Sequence, residues 1–147
     1  MMYSIIIIIH VLAATIWTGG HLILAIAILP KILRTKDIDA LTKFEENFEK
    51  IGIPALILQV ITGVYLAYRL LPNISEWFSF SSTISTHIGI KLSLLLITLL
   101  LALHARFRLI PNLSEKNLFF LAVHIIMVAF VSVLFVITGL SLRLQLF

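Results

Sequence analysis

The chain contains no cysteine, and only seven of its 147 residues are acidic. The first absence excludes disulfides, iron–sulfur clusters, thiolate metal sites and cysteine nucleophiles together. Charged residues make up 12% of the chain, too few to coat a soluble domain, while 61% is hydrophobic and the mean hydropathy is +1.12. A soluble domain of this size cannot hide so much apolar surface, so lipid is the expected solvent for most of it. The N-terminus lacks a basic leader and a small-residue cleavage site, so its hydrophobic run reads as a retained span. The positive charges flank hydrophobic runs and read as topology signals; no nucleic-acid partner is expected.

Four runs approach the roughly 20 apolar residues needed to cross a bilayer. They cover about residues 3–29, 54–71, 86–110 and 117–142. Pro30 and Pro111 are expected to stop the first and third, Pro54 to open the second in the first turn, and Ser85 to cap the third. The expectation is an all-α fold, an integral membrane up-down four-helix bundle in which residues 1–147 form one transmembrane domain. The segment 40–50, ALTKFEENFEK, is amphipathic through Leu41, Phe44 and Phe48; it is expected to lie along the interface or to extend the second helix. Lys31, Arg34, Lys36, Lys43 and Lys50 follow the first span, and Arg106, Arg108 and Lys116 follow the third. The opposite side carries Arg69 and Arg143. The positive-inside rule then puts the two basic loops in the cytoplasm and both termini outside, in the periplasm for an inner-membrane protein.

Polar residues inside these runs carry the functional signal, because they are expensive in lipid. His10, Trp17 and His21 in HVLAATIWTGGH fall within about 40° of one another on a helix and form one stripe. Ala13, Ala14, Gly19 and Gly20 thin the helix beside them, for close helix packing or for a flat ligand. The third span carries His87, Lys91 and His104, the fourth His124 with Met127 one turn on, and the second Gln59, Thr62 and Gly63. Counting about 1.5 Å per residue puts His10 and Lys91 roughly 10 Å to the outer side of the midplane, with His87 nearer the surface. His21, His104 and His124 fall roughly 6–8 Å to the inner side. Each histidine can also simply hydrogen-bond across helices, and Lys91 can snorkel. No acidic residue lies in any span to pair with Lys91, whose charge an anionic ligand group would satisfy.

Neutral imidazole binds heme iron, copper or zinc, and paired histidines between helices suit heme b. Lys91, Arg69 or His87 would meet the propionates. Histidine with methionine also suits copper, and a histidine proton relay is a third option.

HVLAATIWTGGH followed by ILP, and IKLSLLLITLLLALHARFRLIP, resemble the first and third helices of the copper resistance protein D (CopD) family. IGIPALILQVITGVYLA resembles the second helix of the related HemJ-type protoporphyrinogen oxidases. The resemblance implies a four-helix inner-membrane protein. On the HemJ side it implies a b-type heme, with His10 and Lys91 matching the essential positions. On the CopD side it implies copper uptake or tolerance.

The resulting expectation is a membrane redox protein holding one or two hemes b. His10 with His87 or Lys91 would serve an outer heme, and His21 with His104 or His124 an inner heme or metal, with Trp17 beside them. It would pass electrons to copper, a porphyrin or a quinone-type partner; if an enzyme, it would be a heme-dependent oxidoreductase. A homodimer would help enclose the cofactor. The alternative is a copper-binding or copper-transporting protein without heme, using His21, His104, His124 and Met127.

Overall fold

A computed structural model describes residues 1–144, apart from the side chain of Arg143, so the topology role expected of Arg143 lies outside the described residues. The described chain is an all-α bundle of four helices, each long and apolar enough to cross a membrane. In lipid every backbone polar group must be satisfied within the segment, which is why isoleucine-rich runs with little helical propensity in water form continuous helices here.

Helix α1 runs over Met2–Thr35 and α2 over Ile38–Leu70. Helix α3 covers Thr83–Asn112 and α4 covers Leu118–Leu144. Pro30 does not stop α1. A π turn at Leu24–Ile28 precedes it, and Pro30 then sits in the first turn of a renewed helical segment, where its missing N–H is not needed. The connection to α2 shrinks to Lys36, left-handed at φ 58°, and Asp37, whose carboxylate accepts from Ala40 N–H at 3.0 Å. Pro54 likewise lies inside α2 and does not open it. The amphipathic stretch before it docks through fully buried Leu41 and through Phe44 and Phe48, and this packing offsets the roughly 3 kcal/mol that an interior proline costs.

A second π turn, Ala105–Leu109, lies before Pro111 in α3. The cap of α3 is Ser82: its hydroxyl accepts from Ser85 N–H, and the Ser85 hydroxyl accepts from Ser82 N–H at 3.0 Å. The sequence suggested Ser85 itself; the reciprocal pair puts it three residues inside.

The helices pack in the order α2–α1–α4–α3, and α2 and α3 scarcely touch each other. The tightest core lies at the basic end, where Leu24, Leu29, Ile32, Leu41, Leu118, Leu121 and Ile125 meet. At the other end Trp77 is buried in the α2–α3 connection and donates its indole N–H to Leu71 O at 2.9 Å. Helix α2 is about 50 Å long at 1.5 Å per residue, more than the ~30 Å hydrocarbon core. Its charge-free run 51–68 is about 27 Å, enough by length to span, and the charged turns 39–50 extend α2 beyond that length.

Candidate metal centre

Near the end of the bundle where α1 begins and α4 ends, His10 of α1 is tied to α2. Its Nδ1 lies 2.8 Å from Thr62 Oγ1, whose own hydroxyl donates to Leu58 O at 2.7 Å. The hydroxyl proton is thereby committed, so Thr62 accepts and His10 Nδ1 donates. This fixes the tautomer and leaves Nε2 with the lone pair. Gly63 permits the approach, since a Cβ there would lie 3.1 Å from His10 Cε1. His87 does not face His10. It is 1% exposed, donates from Nδ1 to Thr83 O at 2.7 Å, and meets Ser141 Oγ of α4 through Nε2 at 3.0 Å.

The Nζ of Lys91 lies where a Cβ on Gly139 of α4 would be 3.4 Å away. No acidic side chain among the described residues forms an ion pair with it. The Arg69 guanidinium stands 5.9 Å over the Tyr3 ring, marking this interface.

Toward the basic end lie three other imidazoles, one on each of three helices, of which His104 and His124 touch each other. His21 of α1 donates from Nδ1 to Trp17 O at 2.9 Å, and its ring lies 4.4 Å from Trp17 and 5.2 Å from Phe48. His124 of α4 gives Nδ1 to Phe120 O at 2.9 Å, so its Nε2 accepts from Nδ1 of His104 on α3 at 2.8 Å. The free lone pairs in the neutral rings are therefore Nε2 of His21 and Nε2 of His104. Holding the far nitrogen on a carbonyl is how proteins orient metal-binding imidazoles.

Trp17, His21, Glu45, Phe48 and His124 line a cavity of about 200 Å³ between the helices. The buried Trp17 Nε1 beside it has no hydrogen-bond partner. Met127 is 43% exposed and stands outside the cavity lining.

Glu45, Glu49, Phe48 and Arg106 are site residues that the sequence reading left aside. Glu45 belongs to the projecting turns of α2. Burial, reinforced by the neighbouring Glu49 charge, pushes its carboxyl up to about 7. The only hint in sequence was the spacing of Leu41, Phe44 and Phe48, which turns that face inward.

The packing does not suit a porphyrin. The histidine-lined cavity is smaller than the ~300–1,000 Å³ usual for small-molecule sites. His10 and His87, one of the two pairs expected for an outer heme, hydrogen-bond to different helices. Copper asks less of the site, because imidazole suits it and a bare ion fits the space. Among the described residues no three His, Asp or Glu side chains are close enough to enclose a metal ion.

The model of the family described as Copper resistance protein D matches residues 42–142. No curated protein and no solved structure matches the chain.

Proposed function

The chain belongs to the copper resistance protein D family, and from that premise we propose that it handles copper ions as cargo, bound in passing by His21, His104 and His124. One observation carries this reading: His21 of α1 and His124 of α4 line one cavity large enough for an ion, His21 with a bare Nε2, and His104 of α3 is hydrogen-bonded to His124. With no cysteine in the chain and Met127 outside the cavity lining, imidazole is the ligand there best suited to copper.

The scarcity of ligands is consistent with cargo. An ion that must leave needs sites that bind only weakly, shared among several donors. Metal–imidazole bonds are about 2.0 Å, so an ion between His104 and His124 would replace their 2.8 Å hydrogen bond and spread the rings by roughly 1 Å. On this reading the basic loops face the cytoplasm, the protein lies in the inner membrane, and a second copy is not required for the site.

Detergent-purified protein tests the reading by absorption spectroscopy with metal analysis. Copper retained by a colourless sample after incubation under reducing conditions supports it. A reduced-minus-oxidised spectrum with b-type bands, and no copper, returns the heme reading to first place.

A further inference from the structure

Where α2 and α3 diverge at the basic end, two spaces adjoin. An open groove of about 510 Å³ is walled by Glu46, Glu49, Lys50, Ile53 and Pro54 of α2 and by Arg106 of α3. Glu49, Ile53 and Arg106 also line the cavity behind it, the one that holds His21 and His124. These three side chains therefore form the partition between a space open at the interface and a space among the histidines.

Two of the three are ion-paired. Arg106 Nη1 lies 3.1 Å from Glu49 Oε2, the one salt bridge among the described residues. It joins helices that otherwise scarcely touch. Arg106 is 54% exposed, and exposed ion pairs are weak. It also sits in the π turn Ala105–Leu109, a local irregularity of the kind that recurs at functional sites. Behind the partition, Trp17 is 93% buried and its Nε1 has no acceptor. A histidine-lined cavity behind a weak ionic partition is one that a cation can enter when the pair opens.

We propose that the Glu49–Arg106 pair is the latch of a lateral portal through which a copper ion moves between the basic-end interface and the His21–His124 cavity. The proposal rests on the copper reading above. In the closed state Arg106 neutralises Glu49 and covers the partition. When the pair opens, the Glu49 carboxylate joins Glu46 at the mouth as a landing ligand, and the guanidinium turns out toward the interface.

The full-length protein in lipid nanodiscs tests this with a coloured Cu(I)–chelator complex, the loss of colour reporting transfer. Arg106→Gln should accelerate transfer about fivefold, the factor that an exposed ion pair can supply. The charge-swapped protein, Glu49→Arg with Arg106→Glu, should return toward the wild-type rate. Uptake by the wild type, with an Arg106→Gln rate within twofold of it, overturns the portal and leaves the copper reading standing. No uptake by the wild type overturns both.

Discussion

His104 donates its Nδ1 proton to His124 Nε2 across 2.8 Å, with the two rings 27° from parallel. The direction is forced by Phe120, whose carbonyl takes the Nδ1 proton of His124. His104 therefore both steers His124 and offers its own Nε2. His104→Ala should lower copper affinity about 10- to 100-fold, the range found when a group that orients a metal ligand is lost. A competition titration against a Cu(I) chelator measures it, and an unchanged affinity would remove His104 from the site.

Gly20 and Gly19 are neighbours with opposite tolerance. A Cβ on Gly20 would fall within the Phe48 ring, and one on Gly52 would lie 2.9 Å from it, so Phe48 is clamped between two glycines. A Cβ on Gly19 meets nothing within 4 Å. Gly20→Ala should cost about 1–3 kcal/mol by forcing Phe48 aside, whereas Gly19→Ala should stay within about 0.5 kcal/mol. Thermal unfolding in detergent separates them.

His10 and Thr62 join α1 to α2 through a partly buried hydrogen bond. A double-mutant cycle with His10→Ala and Thr62→Val should return a coupling of about 0.6–1.7 kcal/mol, as for other hydrogen bonds within membranes. Copper affinity should not follow the coupling, because neither residue lines the cavity.

Glu45 gives the protein a pH dependence of definite sign. Its carboxyl is raised from 4.5 to about 7 in the folded protein. The folded state then binds the proton more tightly than the unfolded chain does. The resulting stabilisation is fully present below pH 4.5 and is lost as pH rises through about 7. Glu45→Gln should flatten that dependence and leave the variant the more stable protein at pH 8. Melting temperatures measured across this range decide it; parallel curves for the two proteins would place Glu45 in solvent.

The four helices were legible because lipid imposes a length and a composition that the hydrophobic runs display openly. Pro30 and Pro54 misled because proline reports only local backbone chemistry. Whether a helix resumes after a π turn, or holds together because Leu41 and Phe48 are docked elsewhere, is decided by packing that no local signal carries. The histidines were found, but not what they touch. An imidazole whose Nδ1 rests on the carbonyl one turn back, as in His21, His87 and His124, leaves the same trace in an apolar run as one bound to iron. Glu49 and Arg106 stand far apart in sequence and read as ordinary interfacial charges until the fold brings them to 3.1 Å.

The central claim is that copper is held by the imidazoles at the basic end. Its most direct measurement is the Cu(I) stoichiometry of the wild type beside that of His21→Ala/His124→Ala, with His87→Ala as a control for a histidine buried elsewhere. Copper should be bound by the wild type and by the control, and lost from the double variant. Equal copper in all three, or loss only in His87→Ala, would contradict it.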